Sequence, residues 1–274
     1  MYGDVKRYKV LIGVPLAIFL LSVYLFISLG EIKKDVDLTG GIQITVLTEK
    51  NVNPRVVENI LKEYEVKVRT AKGFEKTTVF IQYAKNVTAE KIVEELKNYG
   101  YEISDYSVQK ISPALAKEFY RQMISAMIIA FIFMSIVVFV IFREFLPSFY
   151  VIFTIAIDIF EAFVFSQFFG IPLSIASIAG LLLLIGYSVD ANILLTARVL
   201  RAEGNIKENL EKAFKTGLTM SITTITALLV VVIISSSSVL KQIAGVLLIG
   251  LIIDIINTWF ANGVVLRWWV EGKR

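Results

Sequence analysis

The sequence has neither cysteine nor histidine among its 274 residues. The absence of cysteine excludes disulfide bonds and thiolate nucleophiles, and the absence of both residues excludes the common Cys/His zinc sites. Histidine is the side chain that most often exchanges protons near neutral pH, so any proton transfer must use carboxylates. Walker loops, GxSxG elbows and zincin helices are also missing, and we therefore expect no enzymatic activity, no cofactor and no bound metal.

Charged residues are scarce as well. They make up 19% of the chain, whereas 56% of the residues are hydrophobic and the mean hydropathy is +0.69. This combination is typical of an integral membrane protein, so the first partner that the sequence predicts is a lipid bilayer. The net charge of +4 is small for this length, and we expect no nucleic-acid partner.

Six apolar segments are long enough to cross a membrane as α-helices, which takes about 20 residues each. They are residues 10–29, 123–142, 149–169, 173–196, 218–234 and 239–266. The first follows three basic residues and lacks a good cleavage site, so we interpret it as an uncleaved helix. With a cytoplasmic N-terminus, nearly all basic residues outside the segment 31–122 lie on the inner side, which predicts that both termini are cytoplasmic.

Residues 31–122 have the composition of a water-soluble domain. Alternating apolar residues predict strands near residues 43–48, 66–70, 77–83 and 101–108, and helical patterns beginning at Asn53 and Thr88 separate them. The order strand, helix, strand, strand, helix, strand is that of a ferredoxin-like α+β domain. The charge distribution places this domain on the extracytoplasmic side.

The predicted fold class is therefore a multi-pass α-helical membrane protein with six transmembrane helices in a one-plus-five arrangement. Its predicted divisions are 1–30 for the cytoplasmic N-terminus and first helix, 31–122 for the extracytoplasmic ferredoxin-like domain, 123–267 for the second to sixth helices, and 268–274 for a cytoplasmic tail.

Four carboxylates lie inside the apolar segments, where an ionisable group costs at least about 2.5 kcal/mol and is a functional candidate by default. They are Asp158, Glu161, Asp190 and Asp254. Asp158 and Glu161 are three residues apart and share a helix face. At about 1.5 Å per residue, Asp158 and Asp190 both lie roughly 12 to 14 Å above the inner surface, and Asp254 lies at about 20 Å. The alternative is a structural role, in which the acids bond across helices and Asn192 partners Asp190.

Arg198 ends the fourth apolar segment. It is either one more positive-inside charge, or its side chain reaches the acids of neighbouring helices and favours their ionised forms. At the outer edge of the membrane, the residues Asp37, Thr39, Gly40 and Gly41 belong to an Asp-Leu-Thr-Gly-Gly sequence. By itself this sequence indicates only a turn in which the backbone bends sharply or approaches another segment closely.

These motifs resemble those of the SecF family of protein-export membrane proteins. The Asp37–Gly41 sequence is similar to the family's Asp-Phe-Thr-Gly-Gly element, and residues 111–118, 157–158 and 186–198 resemble the segments that form its second, third and fourth helices. The resemblance extends over nearly the whole chain. It implies one six-helix half of the resistance-nodulation-division fold, in the plasma membrane, that pairs with SecD. Such a complex uses the proton-motive force to assist a polypeptide through the Sec translocation channel.

The resemblance aligns Asp158 and Arg198 with the family's proton-pathway acid and arginine. The sequence from Val189 to Asn192 is closer to the SecD form of this helix. An offset of one residue moves a side chain about 100° around a helix, which gives Asp190 a supporting role.

Two other functions fit the apolar segments and their acids. A small-molecule or lipid exporter of the same superfamily needs two six-helix halves and usually a second outer domain, and the chain supplies one of each. An intramembrane aspartyl protease would use Asp158 and Asp190 as a dyad, but that class expects Gly-x-Gly-Asp where the sequence has Tyr187-Ser-Val-Asp190. Carboxylates alone do not distinguish H⁺ from Na⁺ as the coupling ion.

Overall fold

The structure of the protein is a computed structural model that describes residues 10–48, 52–72, 77–83, 87–201, 206–235 and 237–273. In chain order its elements are α1 (Gly13–Ser28), α2 (Val36–Thr39), β1 (Gly41–Thr48), α3 (Pro54–Ile60), a 3₁₀ turn (Lys62–Tyr64), β2 (Lys67–Lys72), β3 (Thr77–Tyr83), α4 (Ala89–Asn98), β4 (Ile103–Ile111), α5 (Pro113–Phe142), α6 (Phe145–Phe168), α7 (Ile175–Arg201), α8 (Ile206–Ile234), α9 (Ser238–Ile256), a π-helical segment (Asn257–Asn262) and α10 (Gly263–Lys273).

The chain forms two compact units. A helical unit comprises residues 1–33, 124–232 and 239–274, and an α+β unit comprises residues 34–123 together with 233–238.

The α+β unit contains a four-stranded sheet of order β2-β3-β1-β4 in which all neighbouring strands are antiparallel. Its core lies between the sheet and the helices α3 and α4, where Ile44, Leu61, Ile81 and Ile92 are fully buried. Asn53 caps α3 as predicted, since its side chain accepts a hydrogen bond from the Arg55 amide. The predicted ferredoxin-like domain is therefore confirmed.

The helical unit supplies the membrane spans. Among the described residues, five helices are long and apolar enough to cross a bilayer, and α1 is a shorter apolar helix of 16 residues. They correspond to the six predicted segments. The span that begins with α9 continues through the π-helical segment into α10, without a break in the chain path.

Two helices begin earlier than hydropathy predicts. The helix α5 starts at Pro113 and α8 at Ile206, upstream of the apolar segments that begin at residues 123 and 218. An ion pair between Glu208 and Lys212, with 2.6 Å between carboxylate oxygen and ammonium nitrogen, spans one turn of this extension. Hydropathy locates the part of a helix that lies in lipid, whereas such i,i+4 pairs support the polar turns beyond it.

Small residues allow the helices of this unit to approach closely. A Cβ atom added to Gly180 on α7 would lie 3.0 Å from the Ile243 carbonyl oxygen and 3.1 Å from Val246 Cβ on α9. A Cβ atom on Gly217 of α8 would collide with the Trp259 ring, which is completely buried. The fourth, fifth and sixth spans are therefore held in contact where glycine replaces a larger side chain.

Candidate functional site

Three of the four predicted acids meet inside the helical unit. Asp158 and Glu161 of α6 have no exposed surface, and Asp254 of α9 is 1% exposed. Asp158 and Glu161 share a helix face because they are three residues apart, as the sequence predicts. The packing of α6, α7 and the last span then brings Asp254 to the same place.

Ser188 of α7 joins two of these acids. Its hydroxyl oxygen lies 2.8 Å from Oδ2 of Asp158 and 2.6 Å from Oδ1 of Asp254, and the side chain is fully buried. Sequence analysis missed Ser188, although it precedes Asn192 by four residues and therefore shares its helix face. That spacing of two polar residues on one apolar helix was the available signal.

The π-helical segment supplies the remaining donors to the carboxylates. The Asn257 side-chain amide donates to Oδ1 of Asp158 at 2.8 Å and to Oε2 of Glu161 at 2.7 Å. The Thr258 hydroxyl donates to Oδ1 of Asp254 at 3.0 Å. A π turn admits one extra residue into the helix, and such turns are frequent at functional sites. Here the local change of period directs the adjacent residues Asn257 and Thr258 to the same cluster.

Asn192 belongs to this cluster through other partners than the one predicted. Its side-chain amide donates to the Ser188 carbonyl at 2.9 Å and to the Thr258 hydroxyl at 3.0 Å. Its carbonyl accepts a hydrogen bond from the Asn262 amide at 2.5 Å. Asn192 therefore connects α7 to the π-helical segment, and these bonds do not involve Asp190.

Several buried acceptors in the cluster have no hydrogen-bond partner among the described residues. They include Oε1 of Glu161 and Oδ1 of Asn257, whose parent side chains already share one hydrogen bond. A buried acceptor without a donor is unfavourable by about 1 to 3 kcal/mol. Protonation changes a carboxylate oxygen from an acceptor into a donor. The charge state of Glu161 therefore determines whether its Oε1 atom is an unpaired acceptor or a potential donor.

Asp190 and Arg198 lie apart from the cluster. Asp190 is exposed on the surface of the chain and, two residues after Ser188, points about 200° away from it around the helix axis. Arg198 is half-buried and forms no ion pair with an acid among the described residues. It lies ten residues, or about 15 Å along the helix, from Ser188. Ser188, and not Asp190, is the side chain of α7 that meets Asp158.

The hydrogen-bond partners of the acid cluster are uncharged groups. Among the described residues, no three Asp, Glu, His or Cys side chains are arranged to hold a metal ion. The groups that reach the carboxylates are hydroxyl and amide hydrogens from α7 and the π-helical segment. Carboxyl groups in such a setting can take up and release protons without a histidine.

The Asp-Leu-Thr-Gly-Gly motif forms a tight structural junction in the α+β unit. Gly40 has a φ of +74°, and a Cβ atom added to it would lie 2.8 Å from the Pro113 Cα atom at the start of α5. Gly41, with a φ of +121°, begins the strand β1. Only glycine fits this backbone and this close approach, which explains the glycine pair.

Polar contacts of the same region hold the short helix α2. Asp37 accepts a hydrogen bond from the Gln109 amide at 2.7 Å, and the Thr39 hydroxyl donates to the Asp35 carbonyl at 3.1 Å. Asp35, which sequence analysis missed, is buried and forms an ion pair with Arg69 at 3.0 Å between carboxylate oxygen and guanidinium nitrogen. Nothing in the sequence distinguishes Asp35 from the nearby Asp37. The structural role of Asp35 is seen only from its burial.

Known proteins are similar to this chain in sequence and in fold. Residues 88–272 match the family described as "Protein export membrane protein SecD/SecF, C-terminal". A relative named Protein-export membrane protein SecF, from Methanothermobacter thermautotrophicus, is 40% identical over 276 residues, which cover 97% of this chain and 94% of the relative. A relative of the same name from Pyrococcus furiosus is 38% identical and covers 97% of this chain and 93% of its own.

A solved structure has the same fold. The crystal structure of SecDF from Thermus thermophilus, described as a translocon-associated membrane protein, matches with a TM-score of 0.77 at 18% identity. The match covers 98% of this chain but 39% of that one, so SecDF is more than twice as long. At this identity the similarity shows the fold alone.

The fold and the site define a multi-pass membrane protein with an α+β domain after its first helix and a buried carboxylate cluster among its spans. The chain belongs to the SecF proteins of the SecD/SecF family of protein-export membrane proteins. The resemblance found in the sequence motifs is thereby confirmed. This family consists of transport proteins and is not an enzyme family.

Proposed function

We propose that the protein is the SecF subunit of a SecDF-type complex that uses the proton-motive force to assist Sec-dependent translocation of polypeptides across the plasma membrane. The observation that carries this proposal is the buried cluster of Asp158, Glu161 and Asp254, whose partners are hydroxyl and amide groups. Carboxylates are costly inside a membrane, and hydroxyls or amides would serve helix packing at lower cost. Their placement therefore supports a function that needs a change of charge.

Asp158 is the proposed centre of the coupling. It accepts hydrogen bonds from Ser188 on α7 and from Asn257 in the π-helical segment. The charge of Asp158 therefore influences how strongly α6 binds to α7 and to the π-helical segment. Protonation weakens these bonds and shifts the balance between two arrangements of the helices. Each elementary charge that crosses a membrane potential of 100 mV releases about 2.3 kcal/mol, which is comparable to the free-energy difference between such states.

Arg198 and Asp190 have secondary roles in this proposal. Arg198 adjusts the charge of the site in a conformational state in which the helices are arranged differently. Glu161 and Asn192 keep the cluster connected, through Asn257 and Thr258 respectively. The charge distribution supports an orientation with cytoplasmic termini and an extracytoplasmic α+β domain that takes up and releases the emerging polypeptide.

SecD is the proposed partner within the membrane, and the Sec translocation channel is the larger assembly that the complex serves. The exposed carboxylate of Asp190 supports a partner on this face of α7, where Leu183 and Tyr187 are also exposed. A carboxylate in contact with lipid alone is unfavourable by about 2.5 kcal/mol or more. A second six-helix half with polar groups at the same depth would cover it. The greater length of the SecDF chain is consistent with such a second half.

The two other functions have less support. An aspartyl protease would need Asp158 and Asp190 in one site, but Asp190 is exposed on another side of α7. A small-molecule exporter would be expected to resemble proteins named as exporters, whereas the relatives described above are named Protein-export membrane protein SecF. Neither function is favoured by a specific feature of the cluster.

The substitution Asp158→Asn tests the proposal. In sealed vesicles that contain the chain, SecD and the Sec channel, an imposed proton gradient should stimulate translocation of a protease-protected polypeptide. We expect this stimulation to fall at least tenfold in the variant, because asparagine keeps the side-chain shape but cannot change its charge. Asp105→Asn, on the exposed surface of β4, is the matched control and should retain the stimulation. Full stimulation in the Asp158 variant would overturn the proposal.

A further inference from the structure

The contacts of Ser188 require a minimum number of hydrogens between its oxygen and the two neighbouring carboxyl groups. The Ser188 hydroxyl oxygen is within 2.8 Å of one carboxyl oxygen of Asp158 and within 2.6 Å of one of Asp254. A hydroxyl group carries a single hydrogen and can donate to one of these oxygens only. Two oxygens at 2.6 or 2.8 Å without a hydrogen between them repel each other. A second hydrogen must therefore lie on Asp158 or on Asp254.

The other bonds of these carboxyls leave room for that hydrogen. The Asp158 Oδ1 atom accepts from Asn257 and the Asp254 Oδ1 atom accepts from Thr258, so each acid has one fixed donor besides Ser188. Among the described residues, the donor that approaches the Ser188 oxygen is the Asn192 amide, at a long distance of 3.3 Å. It can therefore accept a hydrogen from one carboxyl while it donates its own to the other.

We propose that Asp158, Ser188 and Asp254 form a proton-sharing triad, in which the two carboxyls hold one proton between them and the serine hydroxyl passes it across. In one transfer, the Oδ1–H bond of Asp254 breaks and a new O–H bond forms at Ser188. At the same time the original O–H bond of Ser188 breaks and its proton joins Oδ2 of Asp158. The serine is unchanged afterwards, and the negative charge has moved from α6 to α9.

A separate observation points to protons as the ligand of this cluster. Oε1 of Glu161 is fully buried and has no hydrogen-bond donor among the described residues. A proton on this oxygen would turn it into a donor, whereas the ionised form leaves it unsatisfied. Among the described residues, no lysine or arginine forms an ion pair with any of the three acids. Protonation neutralises a carboxyl group without an ion pair and so allows the three acids to be buried together.

The other ionisable groups near the triad do not account for a change in its protonation. On α6, Glu161 lies next to Asp158 and is joined to it through Asn257. On α7, Asp190 faces away and Arg198 is about 15 Å along the helix. The helix α8 contacts the π-helical segment through Phe214 and Gly217, which are not ionisable. The α1 helix carries one ionisable side chain, Tyr24, and it is exposed.

This inference rests on the proposed function and adds to it. It makes Asp254, on the last span, a second coupling acid beside Asp158, and it makes Ser188 the residue that links them. A proton that reaches one acid can then leave from the other, and the charge alternates between two helices.

Infrared spectroscopy of the purified complex with SecD, in lipid nanodiscs at neutral pH, tests the triad. A protonated carboxyl group gives a carbonyl stretch that an ionised one lacks. We expect Asp158→Asn and Asp254→Asn to lose the same band, each by the intensity of one carboxyl group. An asparagine at either position supplies permanently the hydrogen that the shared proton supplied, so the remaining acid is ionised. Asp105→Asn should leave the band of the protonated carboxyl group unchanged.

Two other variants complete the test. Ser188→Ala should shift the frequency of the band, because the protonated carboxyl loses its hydroxyl partner. Ser135→Ala, whose hydroxyl bonds only to the Phe131 carbonyl of its own helix, should not. Survival of the band in one of the two asparagine variants would show that the proton belongs to a single acid and would overturn the triad.

The spectra and the export assay separate the two proposals. If both asparagine variants lose the band while Asp158→Asn still exports under a proton gradient, the triad stands and the proposed function fails. If Asp158→Asn abolishes the stimulation but the band survives in Asp254→Asn, the proposed function stands and the triad fails.

Discussion

At the scale of single residues, the position of an acid along a helix and its position around the helix have different consequences. Asp158 and Asp190 lie at similar predicted depths, yet the structure brings Asp158 together with Ser188 and Asp254. Counting residues from a charged end gives the height of a side chain. It does not give the face that a helix turns toward its neighbours, because that depends on the packing of all the spans. Residue counting therefore did not predict the contact of Asp158 and Asp254 with Ser188.

A residue-scale prediction concerns Asp35 in the α+β unit. Its buried carboxylate accepts from the Val36 amide at 2.7 Å and the Gln82 amide at 2.6 Å, besides pairing with Arg69. Asp35→Ala removes the acceptor of these hydrogen bonds and leaves Arg69 without its carboxylate partner, so it should destabilise this unit by about 3 to 5 kcal/mol, the range for breaking a buried ion pair. Hydrogen exchange of the full-length protein should show much faster exchange in β1 and β3.

Asp37→Ala is the matched control for that experiment. Asp37 accepts an exposed hydrogen bond from Gln109, and the loss of such a bond should cost about 1 kcal/mol or less. Equal exchange rates in the Asp35 and Asp37 variants would show that the buried ion pair does not stabilise the unit.

At the scale of helices and strands, the sequence predicts most of the elements because their periodicity is strong. The βαββαβ order of the α+β unit and the apolar spans are recovered with shifts at their ends. The π-helical segment is different. Its extra residue rotates the side chains that follow it around the helix axis. Asn257, Thr258 and Asn262 therefore all contribute to the cluster, although a period of 3.6 residues would separate them. A pattern that assumes regular α-helix cannot predict this arrangement.

The contact between α8 and the π-helical segment gives an element-scale prediction. Gly217→Ala places a methyl group against the buried Trp259 ring, which also packs edge-on against Phe214 at 5.2 Å between ring centroids. Overpacking of this kind typically costs about 1 to 3 kcal/mol, so the thermal denaturation midpoint in detergent should fall. Gly13→Ala, where an added Cβ has no neighbour within 4 Å, should leave the midpoint unchanged or slightly higher. A fall of equal size in both variants would contradict a specific contact at Trp259.

At the scale of the whole molecule, the chain is one SecF-type half with a buried acid cluster and an exposed acid at a similar depth. The cluster connects the third, fourth and sixth spans through Asp158, Ser188 and Asn257. A change of charge at one point can therefore alter the packing of three helices. The exposed Asp190 marks the face on which we expect the second half of the complex. The sequence predicted the family and the acids, while the bonds between them required the structure.

We propose that protons taken up by this cluster drive the assistance of polypeptide export. The most direct test compares two gradients on the same sealed vesicles, which contain the chain, SecD and the Sec channel. We expect a proton gradient that drives protons from the extracytoplasmic to the cytoplasmic side of the protein, the physiological direction, to stimulate polypeptide translocation. A sodium gradient of equal size, at equal pH on both sides and with the membrane potential clamped, should have no effect. Stimulation by the sodium gradient alone, with none from the proton gradient, would contradict the account.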